Sequence, residues 1–317
     1  MLRLPLAFLI VAGHANTLKF PLRANEQLVA YDYNIIKYPI HLLSDILFGP
    51  AVPLFFMISG FLFFMGLNHF DMVTYKQKIK RRAKTLLIPY LLWNFIYLLP
   101  TLANTLLGKY NYDVWYFIES LWIMPNQLDR ISEMTMATPA DPPLWFIRDL
   151  MVCLVLSPVI WFVARKKMIC IIVVVLLAAP WFFSIPCLFP FPGISIPSLL
   201  FFMIGSMAAV WDVNIARWLS NVNMSKFLIG IFFILSIIEL IMVDYSFSLN
   251  GESVSVTIEQ NIYLHAILVL GGCFAFLFVA YRLASHVAGA WGGHFLCSQV
   301  TGCSSILQRR LFHVSVQ

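Results

Sequence analysis

The sequence predicts an all-α protein, a polytopic bundle of transmembrane helices, and two observations support this fold class. Of the 317 residues, 61% are hydrophobic and only 11% are charged, and the mean hydropathy is +0.83, far from the composition of soluble domains. Apolar runs also recur along most of the chain. A secretory signal would be followed by a mature sequence of mixed polarity, so we interpret the first run as a retained span.

About eight runs have the length that a transmembrane helix needs, which is about 20 mostly apolar residues with a minimum of about 17. They cover residues 4–20, 47–67, 85–107, 144–164, 168–188, 195–212, 227–243 and 261–281. The segment 112–124, in the connection after the third run, is aromatic and amphipathic. We expect it to lie at the outer interface or to fold back into the protein.

The net charge of +6 indicates orientation in the lipid bilayer, and not a nucleic-acid partner. The basic stretch 75–84 follows the second run, and the cluster 165–167 follows the fourth. Lys and Arg mark the cytoplasmic side of a membrane protein. The two stretches are therefore predicted to share one side of the bundle, with the amino terminus in the cytoplasm.

The first run, "RLPLAFLIVAGHA", carries Arg3 at one end and His14 near mid-span. A helix turns about 100° and rises about 1.5 Å per residue, so the two side chains share a face about 16 Å apart along the axis. A neutral imidazole is a common general base. The alternative is a histidine bonded to a neighbouring helix and an arginine that only sets topology.

The stretch "PPLWFIRDL" (142–150) places two prolines before a helix start, where proline is tolerated. Trp145 suits an aromatic anchor at the membrane interface, and Arg148 lies one turn deeper on the same side. The guanidinium of Arg148 can bind a carboxylate or phosphate in bidentate fashion. Pairing with an acidic residue of another helix, for packing alone, is equally consistent with the sequence.

The basic stretch "YKQKIKRRAK" has two readings of equal weight. It can form a membrane-surface helix whose cations face lipid phosphates. Alternatively, its last cations hold the phosphates of a soluble donor, since Arg81, Arg82 and Lys84 lead directly into the third run.

The other polar residues inside the runs suggest less chemistry. Ser59 and Gly60 indicate close helix packing and not catalysis, whereas Glu239 and His265 are ionisable groups near the outer ends of the seventh and eighth runs. We assign no chemistry to the six cysteines and predict no metal site, since the spacing of the late residues matches no closed zinc pattern: His286, His294, His313, Cys297 and Cys303.

Together these stretches resemble acyltransferase family three, the bacterial multi-span enzymes that move acyl groups onto hydroxyls of surface polysaccharides. The residues that carry the resemblance are "RLPLAFLIVAGHA", "VPLFFMISGFLF", "KRRAKTLLIPYLLWN", "PLWFIRDL" and "LLFFMIGSMAA". The resemblance implies an acyl-CoA donor, a glycan or lipid-linked sugar acceptor and a bacterial cytoplasmic membrane location.

The resemblance also implies residue roles. His14 matches the essential histidine of the family and Arg3 its partner arginine, while Arg81 and Lys84 match a pair of basic residues whose second position is more often arginine. Trp145 and Arg148 match a motif of the branch that resembles enterobacterial-common-antigen acetyltransferases. We therefore expect His14 and Arg3 to be catalytic, the 81–84 cations to bind the donor, and Trp145 with Arg148 to bind the acceptor.

Two departures from the family are expected to matter. The family usually has ten spans, and it has more residues before the arginine than this chain. Residues 1–282 are predicted to form the membrane acyltransferase domain, and 283–317 an atypical tail, rich in Ser, Gly, His and Cys, from a truncated or frame-shifted end.

Two other function classes remain possible at this point. Several helices with a few buried charges also describe a transporter or exporter of a solute or glycan, although neither internal repeats nor paired interrupted helices are clear in the sequence. The third class is a non-catalytic scaffold of a polysaccharide-assembly complex.

Overall fold

A computed structural model describes residues 42–67, 69–124, 138–183, 195–242, 244–250, 253–259 and 261–290. The fold of this part is helical, as predicted. Ten α-helices occur in chain order: α1 Ala51–Phe64, α2 Met72–Leu106, α3 Val114–Ser120, α4 Trp145–Val155, α5 Ser157–Arg165, α6 Lys167–Phe182, α7 Ile196–Val210, α8 Ile215–Ser220, α9 Val222–Met242 and α10 Ile262–Ala290. A π-helical turn, Leu42–Leu47, precedes α1, and a 3-10 turn, Pro142–Leu144, precedes α4.

The connection between α9 and α10 contains the two strands of the described chain, β1 Asp244–Asn250 and β2 Ser253–Glu259. They pair antiparallel, with Asp244 opposite Glu259 and Asn250 opposite Ser253. This hairpin was not predicted, although the alternation in "SVSVTIE" is typical of a strand.

Three described helices are long and apolar enough to cross a membrane: α2, α9 and, within α10, the stretch Tyr263–Ser285. Helices α1, α6 and α7 are apolar but shorter. The first predicted run, 4–20, lies outside the described residues, and the span count and the side of the amino terminus stay predictions. The domain boundary at 282 stays a prediction too, and α10 continues through it to Ala290.

The predicted span at 144–164 is not one continuous helix, because it consists of two helices that are long and apolar enough to cross a membrane only when taken together. Helices α4 and α5 meet at Leu156 with a bend of 62°. Pro158 explains the break, since proline has no N–H to donate to the carbonyl four residues earlier.

The centre of the bundle is the crossing of α1 and α7. A Cβ atom added at Gly60 would overlap the carbonyl of Phe202, and one added at Gly205 would overlap the backbone of Met57. The two glycines therefore let the backbones touch, which confirms that Ser59 and Gly60 lie in a packing face. Phenylalanines from both helices fill the core around them.

Both basic stretches contact residues at one end of this bundle, the arrangement that their positions in the sequence predict. Lys78 donates to the carbonyl of Phe63 at the end of α1, and Lys167 lies 5.8 Å from the ring centre of Trp211. Trp211 donates in turn to the carbonyl of Ala164, at 2.8 Å. We call this the basic end of the bundle.

Candidate functional site

The predicted catalytic pair, Arg3 and His14, lies outside the residues that the structure describes. Its assignment stays a prediction. Among the described residues, the candidate site consists of three parts: the cations of α2, a polar network around Arg148, and a carboxylate–imidazole pair between α9 and α10.

The basic stretch 75–84 belongs to the long helix α2, and both interpretations of its cations, as partners of lipid phosphates and as partners of donor phosphates, stay predictions. Asp71 caps this helix, because its carboxylate accepts from the N–H and the hydroxyl of Thr74, both at 2.7 Å. The helix then continues to Leu106 past Pro89 and Pro100. The cations therefore lead without a break into the predicted third span.

The faces of α2 separate the predicted donor-binding residues. Arg82 is half-buried toward the bundle, whereas Arg81 and Lys84 are exposed. Lys78 lies one turn before Arg82 on the same face and is also half-buried, 5.3 Å from the ring centre of Phe63. Sequence reasoning missed Lys78, although its position four residues before Arg82 would have indicated it.

Further along α2, two buried polar residues reach the segment 112–124. The hydroxyl of Tyr90 donates to the carbonyl of Leu121. The side-chain amide of Asn94 donates to the carbonyl of Tyr90 at 2.9 Å, and its oxygen accepts from the N–H of Asp141 at 3.0 Å. The segment therefore folds back onto the protein, which was one of its two predicted positions.

Arg148 on α4 holds the same segment from the other side. One guanidinium nitrogen donates to the carbonyl of Trp122 at 2.8 Å, and the Trp122 ring centre lies 5.8 Å from the guanidinium carbon. The other two nitrogens donate to Oδ1 of Asp149, at 3.3 and 3.1 Å. Arg148 is only 3% exposed, so protein groups surround its charge.

Asp149 connects this network to α7. Its Oδ2 accepts from the N–H of Ser195 at 3.0 Å and from the hydroxyl of Ser198 at 2.9 Å. The carboxylate, which is 0% exposed, thus lies at the amino-terminal end of α7, where the helix dipole favours negative charge. We refer to Tyr90, Asn94, Trp122, Arg148, Asp149, Ser195 and Ser198 as the Arg148 network.

Within the Arg148 network, the carboxylate that pairs with Arg148 belongs to the next residue of the same helix, Asp149. Trp145 is half-buried and packs against the core, and its place at the membrane interface stays a prediction. The assignment of Trp145 and Arg148 to acceptor binding stays a prediction, and the contacts of Arg148 with Trp122 favour a role for Arg148 in positioning the end of the segment 112–124.

The Arg148 network and the basic end are separated along α2. Tyr75, near the basic end, donates to the carbonyl of Val155 at the last turn of α4, whereas Arg148 lies two turns before Val155. From Tyr75 to Tyr90 the helix rises about 22 Å. The two parts thus lie toward opposite ends of the α2–α4 pair.

The third part is an ion pair between α9 and α10. Nδ1 of His265 lies 3.1 Å from Oε1 of Glu239. Glu239 is 1% exposed, and the side chain of His265 is 29% exposed. The sequence indicated both residues as ionisable groups near the outer ends of successive runs, but it did not indicate that they meet.

The thiols offer no sign of a reactive group in the described part of the chain. Cys153, Cys170 and Cys273 are free and buried, and there is no group of three potential metal ligands among the described residues. The late histidines and cysteines on which a metal site was considered lie, with the exception of the backbone of His286, outside that part.

Comparison with known proteins gives two findings. A family model described as "Acyltransferase domain" matches residues 1–303. The succinoglycan biosynthesis protein ExoH of Rhizobium meliloti (strain 1021) is 32% identical over 130 residues, which is 41% of this chain and 34% of that protein. The alignment therefore spans about a third of the relative's length. No solved structure matches the chain.

Proposed function

Because this chain belongs to the acyltransferase family whose domain model matches residues 1–303, we propose that it is a membrane O-acyltransferase. It moves an acyl group, acetyl in the first instance, from acyl-CoA to a hydroxyl of a cell-surface glycan or glycolipid in the bacterial cytoplasmic membrane. The relative named for succinoglycan biosynthesis supports a polysaccharide acceptor.

One observation from the structure supports this proposal most directly: α2 carries half-buried cations toward one end of the bundle and buried polar groups toward the other. Arg82 and Lys78 offer donors to the phosphates of the acyl-CoA. Arg81 and Lys84, on the exposed face, add charge that attracts the anionic donor. The Arg148 network shapes the far end, where the acceptor would approach.

Acyl transfer needs a base for the acceptor hydroxyl and donors for the oxyanion that forms at the acyl carbon. In this proposal His14 removes the acceptor proton or first takes the acyl group itself, and Arg3 holds the donor phosphates. Direct contact between Arg3 and His14 is excluded if their segment is helical, because about 16 Å separates them along the axis.

The test is transfer of label. Membrane vesicles containing the full chain receive acetyl-CoA labelled in the acetyl group, together with host envelope polysaccharide from which mild alkali has removed ester groups. The proposal predicts alkali-labile label on the polysaccharide. A transporter would move solute without transferring label, and a scaffold would do neither, so label-free polysaccharide contradicts the proposal.

A further inference from the structure

The pair Glu239–His265 takes no part in the function proposed so far. It joins two antiparallel helices, α9 and α10, which pack through Phe232, Leu268 and the small Gly271. Glu239 lies one turn before the end of α9, and His265 one turn after the start of α10. The pair therefore lies directly beneath the β-hairpin connection.

The cations of these helices lie at their other ends. Lys226 is in the first turns of α9, and Arg282 is in the last turns of α10. Since Lys and Arg mark the cytoplasmic side, the pair lies toward the outer face of the membrane. This is the side from which a surface glycan would approach.

The hydrogen bonding of the pair is incomplete. Oε2 of Glu239 is buried and has no hydrogen-bond partner among the described residues. The carboxylate therefore directs its charge at one described partner, the His265 ring, whereas buried carboxylates are normally satisfied at both oxygens. Such an uncompensated group inside a membrane domain calls for an explanation beyond stability.

The position of the Glu239 carboxylate determines which hydrogen bond the His265 ring can still make. With a carboxylate at Nδ1, the neutral imidazole carries its proton on Nδ1, and Nε2 presents a lone pair. Nε2 has no partner in the described part of the chain, and the side chain of His265 is 29% exposed. The pair thus presents a polarised hydrogen-bond acceptor at an accessible position, and its natural complement is a hydroxyl donor.

We propose that the Glu239–His265 pair is a binding site for a hydroxyl group of the carbohydrate acceptor, which donates to Nε2 of His265. The inference rests on the proposed acyltransferase function. Glu239 is a positioning residue in it, because it sets the tautomer and the orientation of the ring.

The variant His265→Asn distinguishes a hydroxyl-binding site from a pair that only holds α9 and α10 together. The amide nitrogen of asparagine takes the place of Nδ1 and still donates to Glu239, while the acceptor at the Nε2 position is lost. In the vesicle assay with labelled acetyl-CoA and alkali-treated polysaccharide, we expect the acceptor KM to rise about tenfold, the loss of one hydrogen bond to a polarised group. The donor KM should stay within about twofold.

The matched control is Ser236→Ala, one turn before Glu239 on α9, whose buried hydroxyl bonds only the carbonyl of Phe232 in its own helix. It should leave both KM values unchanged. An unchanged acceptor KM in His265→Asn overturns the inference and shows that the pair only holds α9 and α10 together. If that variant does not accumulate, Glu239→Ala decides: it removes the group that sets the tautomer and the orientation of the ring, so the acceptor KM should rise, and an unchanged acceptor KM again overturns the site.

Failure of the proposed function gives a different result. The wild-type protein would then transfer no label at all, and both proposals would fall together. If the wild-type protein transfers label and the variants keep the wild-type acceptor KM, only the proposed hydroxyl-binding site is contradicted.

Discussion

Helices α7 and α9 are both apolar, yet they differ in how far neighbouring elements bury them and in how many of their buried polar atoms have hydrogen-bond partners. No residue of α7 is exposed, and its amino-terminal end is bonded to Asp149 while Gly205 touches the backbone of α1. The buried residues of α9 are few: Ser225, Phe232, Ser236 and Glu239. Two of these four, Ser225 and Glu239, have a polar atom without a partner among the described residues.

The difference separates two uses of buried charge. Around Asp149 both carboxylate oxygens have partners, and a permanent cation neutralises the charge, which is typical of a structural network. At Glu239 one oxygen has no partner and the counter-group is a half-exposed imidazole. We interpret the Arg148–Asp149 pair as a structural element of the fold and the Glu239–His265 pair as a ligand-binding site.

The largest expected effect is from Asp149→Ala. It removes a buried carboxylate from Arg148, Ser195 and Ser198, and breaking a buried ion pair of this kind costs about 3–5 kcal/mol of unfolding free energy. Thermal or denaturant unfolding of the detergent-solubilised protein measures this. The matched change Glu239→Ala should cost clearly less, because the histidine can remain neutral. Equal losses would contradict the distinction between the two carboxylates.

The second effect is from Gly205→Ala, where the new methyl group overlaps the backbone of Met57. We expect a loss of about 1–3 kcal/mol, the usual cost of overpacking a filled interface. Gly230→Ala on α9 is the control, since nothing lies within 4 Å of the added atom. It should be neutral or stabilising by up to about 1 kcal/mol. A destabilised Gly230→Ala, with Gly205→Ala unaffected, would reverse the comparison.

The smallest expected effect is at Asp71. This solvent-exposed carboxylate bonds the amino-terminal end of α2, as the buried Asp149 bonds that of α7. Hydrogen bonds from Thr74 hold the pKa of Asp71 below its ordinary value of 3.8. A depressed pKa means that the cap contributes stability above that ordinary value and loses it as the pH falls through the folded-state pKa. Asp71→Asn still caps the helix without titrating.

The difference in melting temperature between wild type and Asp71→Asn should therefore change only at a pH below the ordinary pKa. A change confined to neutral pH would exclude the cap as its source.

Most of the helices could be predicted from the sequence, whereas the contacts between residues far apart in the chain could not. Apolar runs and the prolines at 142–143 placed the start of α4 correctly, because such signals are local. The contact between Asp149 and Ser198 joins residues far apart in the chain, and nothing local encodes it. The bend at Leu156 was predictable from Pro158 but was overlooked, since a continuous apolar run hid it.

The candidate site divides in the same way. The composition indicated Glu239, His265 and Arg148 as costly groups in a membrane, and each indeed has a polar partner. Which partner each one has depends on tertiary packing. Lys78 was missed because the resemblance indicated Arg81 and Lys84, while only the helix geometry shows which cations face the bundle.

The central claim is that the chain transfers an acyl group with His14 as its catalytic residue, and label transfer by His14→Ala tests it most directly. The control is His69→Ala, an exposed histidine between α1 and α2. With equal amounts of inserted protein, the account predicts full transfer of labelled acetyl groups by His69→Ala and none by His14→Ala. Transfer at the wild-type rate by His14→Ala would contradict it.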